Sequence, residues 1–167
     1  MPRTVVIGGV GPTLGASIAE RFAREGDRVA LWARSESFVT DLAERLRAET
    51  PGDALAVQTD VTDRVDELLS DLRESGGTVI HNSGEFVKWI TRTTAEQLAP
   101  EGIHVVHAVI DGWVDSEGVP ESVPESKRAD PDAVAAEFLR LVEQDRSVWT
   151  FEVDFRPWGD DTFRTWR

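Results

Sequence analysis

The sequence has no cysteine, so disulfides, thiolate metal ligands and thiol nucleophiles are all excluded, and a reducing compartment suits it. It also has no tyrosine, and its only lysines are Lys88 and Lys127. Basic charge is scarce altogether: 18 Lys and Arg face 31 Asp and Glu, for a formal charge of −13. A surface so acidic repels nucleic acid and anionic lipid, so neither is expected as a partner. It also suits a salty cytoplasm, where dense carboxylates stay hydrated and salt screens their repulsion. No apolar run approaches membrane-spanning length and no charged-then-apolar leader precedes the first apolar segment. The expectation is therefore a cytoplasmic protein, neither secreted nor inserted in a membrane.

What is present is an alternation. Short apolar runs and segments of helical period follow one another along the 167 residues, the pattern of an α/β fold with a parallel sheet. Strands are predicted at Thr4–Gly8, Arg28–Ala33, Ala54–Gln58, Thr78–Asn82, His104–Ile110 and Val148–Phe155. Helices are predicted at Leu14–Arg24, Ser37–Ala48, Asp63–Glu74, Phe86–Ala99 and Pro131–Gln144. Gly26 is placed as the stop of the first helix, and Asp130-Pro131 as the N-cap and first position of the last. Residues 117–130 are rich in Pro, Glu and Ser and read as a mobile loop, with residues 156–167 as a C-terminal tail. With no repeat and no composition break, residues 1–167 read as one domain. Right-handed crossovers and a switch beside the first strand predict a six-stranded parallel sheet of order 3-2-1-4-5-6 with helices on both faces. A ligand would then sit at the carboxyl ends of strands 1 and 4.

The chemistry-bearing segment is the opening, TVVIGGVGPTLGASIAERFAREGDRVALWAR. Gly9, Gly11 and Gly15 lie between the first strand and the first helix, where Thr13 and Leu14 begin the helical turn. Glycine lets the backbone bend sharply and approach a pyrophosphate, which meets the free N–H groups of the helix N-terminus. No Lys-Ser/Thr pair follows, which excludes a nucleoside-triphosphate P-loop. The bland alternative, a purely structural turn, is opposed by the matched strand and helix on either side. The second strand ends Leu31-Trp32-Ala33-Arg34-Ser35, without the carboxylate that NAD sites place there for the ribose hydroxyls. Arg34 can pair with a 2′-phosphate through charge-assisted hydrogen bonds, and Ser35 can add another. The preferred cofactor is therefore NADP(H), with NAD as the alternative. Elsewhere the reading is plain. His104 and His107 are three apart on a strand and face opposite sides, so no metal is expected. The acidic pairs Asp160-Asp161 and Glu152/Asp154 read as solvated charge.

The turn GGVGPTLG at Gly8–Gly15 resembles the T-G-x-x-x-G-x-G of the short-chain dehydrogenase/reductase family, with Gly9 and Gly15 matching and Thr13 in place of the middle glycine. Asp60-Val61 resembles the family pair whose aspartate contacts adenine. Asn82-Ser83-Gly84 resembles its N-A-G. Gly112, Val114 and Ser116 fit its P-G-x-V-x-T pattern, with Asp111 replacing the proline. The resemblance implies a three-layer Rossmann fold and a dinucleotide site, in which Ser116 would hold the nicotinamide carboxamide. It also exposes a gap. Where the family places a strand with its catalytic Ser and a helix with Tyr-x-x-x-Lys, Gly84 runs directly into EFVKWITRTTAEQLAPEG. No catalytic residue is therefore assigned. The expectation is an oxidoreductase-like chain without the usual proton-handling groups, or else a non-catalytic cofactor-sensing or regulatory subunit. Helices beside the missing segment build the family's dimer interface, which leaves a homo-oligomer and pairing with a full-length relative both open.

Overall fold

The computed structural model describes residues 2–59, 78–81, 92 and 94–160. The expected helix at 63–74, half of that at 86–99, and residues Asp60, Val61, Asn82, Ser83 and Gly84 lie outside the described residues. In chain order the elements are β1 (Thr4–Gly8), α1 (Leu14–Arg24), β2 (Arg28–Ala33), α2 (Glu36–Glu49), β3 (Asp53–Gln58), β4 (Thr78–His81), β5 (His104–Ile110), β6 (Trp113–Val114), β7 (Arg128–Ala129), α3 (Pro131–Val142) and β8 (Glu152–Phe155). One parallel sheet has the order β3-β2-β1-β4-β5-β8, and β6 and β7 form a separate two-stranded ribbon.

Strand alternation sorts the core into two layers. Val5 and Ile7 of β1 join Val29 and Leu31 of β2 in the larger cluster, while Val6 and Trp32 point into the smaller one. The larger cluster is covered by α1, α2 and α3. Helix α1 supplies Leu14, Ile18 and Phe22 at four-residue spacing, with Ala19 and Ala23 between them letting it lie close to the sheet. Phe138 of α3 is fully buried and meets Phe155 of β8 edge to ring, with centroids 5.5 Å apart. Burying such a ring contributes about 2–3 kcal/mol. On the opposite face, Leu98 packs with Trp32, Ile103 and Val105. At the amino rim, the buried Asp27 accepts hydrogen bonds from the Arg3 amide (3.0 Å) and guanidinium, tying β1 to the α1–β2 turn.

The ends of the elements follow local chemistry. Gly26 takes φ 83° just after α1, where its N–H donates to Ala23, and Asp130 caps α3 by accepting from the Asp132 amide. Some expectations need correction. The last strand begins at Glu152, not Val148, because Asp145 accepts from the Ser147 amide (2.9 Å) and starts a 3₁₀ turn over Arg146–Val148. Trp149 is consequently not a strand residue; its ring stacks on His104 at 4.7 Å. Residues 117–130, expected to be a mobile loop, include β7, and the Arg128 side chain donates to the Val123 carbonyl and the Asp115 carboxylate. Nor do right-handed crossovers alone generate the sheet. The β1-α1-β2 and β5-α3-β8 connections step in opposite directions across it, yet α1 and α3 pack together on one face. Their hands are therefore opposite. The larger apolar cluster, shared by both helices, supplies the reason: Val134, Phe138 and Leu139 are buried there.

Candidate cofactor site

Parallel pairing brings the carboxyl ends of the strands to one rim. Gly8 is in register with Trp32 on one side and His81 on the other, so the glycine turn and the chain leaving β4 start side by side. The crevice between diverging crossovers at this point is where open α/β sheets take their ligands.

Each glycine of the turn has a separate physical reason. Gly9 has φ 76°, a left-handed conformation that side chains resist. Its N–H and that of Val10 both donate to the Trp32 carbonyl, at 2.9 and 3.0 Å, which fastens the turn to β2. Gly15 sits where a Cβ would come within 2.8 Å of the Val10 Cα, so its glycine lets α1 pack against the turn. Gly11 has neither constraint. Its φ is not positive, and a Cβ there would meet nothing within 4 Å. Packing among the described residues gives no reason for glycine at that position. Turn, close ligand approach and helix packing are the three roles that glycines divide in dinucleotide folds, and Gly11 falls to the second.

The helix start completes the cradle. Thr13 is the N-cap of α1 but its side chain makes no capping bond, and the first turn carries no acid. Among the described residues the amides of Gly11, Thr13, Leu14 and Gly15 have no hydrogen-bond acceptor, whereas those of Ala16 and Ser17 donate to Gly11 and Thr13. An uncompensated helix N-terminus with open amides favours an anion. Thr13 is half-buried.

Arg34 and Ser35 follow β2 and are both exposed. Gln58 Nε2 donates to the Arg34 carbonyl at 3.3 Å, fixing the backbone, while the guanidinium forms no ion pair among the described residues. Ser35 is the N-cap of α2, and its hydroxyl makes no capping bond. Ser116, also exposed, lies beyond the end of β5 on the same carboxyl-end side of the sheet. The expected contributions of Asp60, Val61 and Asn82–Gly84 lie outside the described residues. His104 and His107 are buried on β5, and among the described residues no three His, Asp or Glu side chains gather as a metal site. Two features escaped the sequence reading. The Trp32 carbonyl anchors the turn, and Arg128 fastens the segment after Ser116 through backbone carbonyls. Backbone acceptors leave no mark in a sequence, so neither was legible.

Residues 3–84, spanning β1 through β4 and the three residues after it, match the family model for short chain dehydrogenase. Over that stretch, just under half of its length, the chain is similar to the short-chain dehydrogenase family. Solved structures extend the likeness along the whole chain. An alcohol dehydrogenase from the archaeon Thermococcus sibiricus, complexed with 5-hydroxy-NADP, superposes with a TM-score of 0.71 at 17% identity, covering 96% of this chain and 99% of that one. A short-chain dehydrogenase from Sphingobium yanoikuyae, in complex with NADPH, gives 0.66 at 20% identity, covering 92% and 87%. The 3-oxoacyl-[acyl-carrier protein] reductase of Brucella melitensis gives 0.69 at 17%, covering 95% and 92%. At these identities the likeness is one of fold. No curated protein matches the sequence. No helix among the described residues is long and apolar enough to cross a membrane.

Proposed function

We propose that this short-chain dehydrogenase relative binds NADP(H) at the carboxyl rim and lacks the family's tyrosine-dependent catalysis. The observation that carries the reading is Gly11, a glycine with open space around it beside four amides without an acceptor among the described residues. The amides of Leu14 and Gly15 would hold the pyrophosphate, with Gly9 supplying the bend and Thr13 the edge. Arg34 and Ser35 would take the 2′-phosphate. Asp60 and Val61 would meet adenine, and Asn82, Ser83, Gly84 and Ser116 would face the nicotinamide half. The Thermococcus and Sphingobium proteins, crystallised with an NADP derivative and NADPH, support this choice over NAD. Bound nicotinamide supplies hydride exchange. The family's proton step needs a Tyr hydroxyl whose pKa a Lys lowers, and a chain with no tyrosine cannot provide it. Ser83 has no neighbouring base to activate it.

A non-catalytic role, as a cofactor-sensing or regulatory subunit working with itself or with a full-length relative, is the second reading. The 84% exposure of Trp158 supports it, because an exposed indole suits an interface. Treating the whole chain as one domain belongs to the same proposal, supported by a single sheet using strands from Thr4 to Phe155. So does a salty cytoplasm as its setting, on the strength of the −13 charge.

Binding and turnover separate the readings. Wild type and Arg34→Ala are titrated with NADPH and NADH at molar salt, and nicotinamide absorbance is followed with small alcohols and carbonyls. The expected result is tighter binding of NADPH, a preference reduced about ten-fold or more in Arg34→Ala as charge-assisted bonds to the phosphate are lost, and no consumption of cofactor. Equal binding of both cofactors by wild type removes the NADP assignment, and steady consumption removes the non-catalytic one.

A further inference from the structure

Beyond β5 the rim is bounded by the segment between β6 and β7, which carries Ser116 and is bridged by the Arg128 side chain. The Arg128 Nε and Nη2 both donate to the Val123 carbonyl, at 3.0 and 2.7 Å. Nη2 also reaches the Pro120 carbonyl at 3.3 Å, and Nη1 the Asp115 carboxylate at 3.2 Å. The backbone closes the same ring: Trp113 pairs with Arg128, Val114 with Ala129, and the Asp115 amide donates to the Ala129 carbonyl at 2.9 Å. Ser116 thus follows a residue held through both its amide and its carboxylate, and its own carbonyl accepts from the Val119 amide at 3.1 Å. Local turns add the Val123 amide to the Pro120 carbonyl and the Lys127 amide to the Pro124 carbonyl. One further tie reaches this segment from the tail, from the Gly159 amide to the Ser126 carbonyl at 2.9 Å.

We propose that Arg128 is a positioning residue for the candidate cofactor site: it closes residues 115–128 into one loop and holds Ser116 at the rim before any ligand arrives. The inference rests on the NADP(H) reading above and adds how its outer wall is kept in place. A planar guanidinium is suited to the task because its N–H groups fork towards three acceptors at once. Lysine keeps the charge but is a point donor, so it can answer Asp115 while abandoning one or both carbonyls. A loop that is ordered in advance does not have to be ordered by the ligand, and the cofactor keeps that free energy as affinity. Composition pointed the other way, since Pro, Glu and Ser over 117–130 suggest mobility; Arg128 is what opposes it.

The test compares wild type, Arg128→Met, Arg128→Lys and Asp115→Asn at molar salt, each by hydrogen exchange without cofactor and by titration with NADPH. For both Arg128 variants, exchange across residues 116–127 should rise at least about ten-fold while residues 4–24 are unchanged, and NADPH should bind about ten-fold more weakly. Asp115→Asn keeps the carbonyl contacts and should bind within about two-fold of wild type. The proposal is overturned if an Arg128 variant exchanges like wild type, if its loop opens while NADPH affinity holds, or if exchange rises equally over residues 4–24, which marks a merely structural role. Should Arg128→Met fail to fold, Arg128→Lys decides by the same criteria. Failure of the NADP(H) reading looks different: wild type itself then binds nothing, and both fall together.

Discussion

Gly11 and Gly15 are four residues apart in one turn, and substitution should separate them cleanly. An alanine at position 15 drives its Cβ into the Val10 backbone, which cannot swing aside as a side chain can. Gly15→Ala should therefore cost about 1–3 kcal/mol of stability by thermal or denaturant unfolding. A valine at position 11 meets open space and should leave stability within about 0.5 kcal/mol of wild type. The same valine fills the space into which a pyrophosphate must come. The sequence made the three glycines conspicuous but did not say which served the fold and which the ligand. That distinction lives in the φ of Gly9 and the distance from Gly15 to Val10, and only coordinates carry those. Thr13, in the family's glycine position, is half-buried.

Elements whose ends are set by their own residues were the legible ones. β1, α1 and β2 have the bounds their periodicity predicts, because a glycine turn and Gly26 delimit them locally. β8 was read four residues too long, since the Asp145 cap and the stacking of Trp149 on His104 compete with the apolar run from Val148. That stack has a consequence for pH. His104 is buried, its Nε2 lies 2.8 Å from the Thr150 carbonyl, and its Nδ1 is buried without a hydrogen-bond partner among the described residues. Burial disfavours the imidazolium and lowers the pKa, outweighing the carbonyl that favours it. The unfolded chain, with a histidine pKa of about 6.5, then binds the proton more readily than the folded one. Stability contributed by neutral His104 is present above that value and is lost as pH falls through it towards the lowered folded pKa. The melting temperature of wild type should therefore fall between pH 7.5 and 5.5 (values of order set by the ordinary histidine range), and His104→Gln should show a smaller fall over the same interval. An equal fall in both removes His104 as the cause.

At the scale of the whole molecule, the α/β alternation and the parallel arrangement could be read from apolar periodicity, but the path of the last crossover could not. Its hand follows from α3 sharing a cluster with α1, a contact between residues more than a hundred positions apart. Charge is the other whole-molecule property. Thirteen net negative charges repel one another in dilute buffer, and at about 1 M salt the screening length falls to about 3 Å. The melting temperature should rise by several degrees, roughly 5 °C or more, between about 0.1 and 2 M KCl. An unchanged value would leave the acidity as ordinary solvated surface. The candidate site draws on the same scale, because the sheet order is what sets the glycine turn beside the end of β4. The most direct measurement is a calorimetric titration of NADPH into wild type and Gly11→Val at molar salt, with unfolding recorded for both. The account predicts saturable binding by wild type, loss of that binding in Gly11→Val, and matching stability. Wild type without binding, or a valine variant that binds as wild type does, would contradict it.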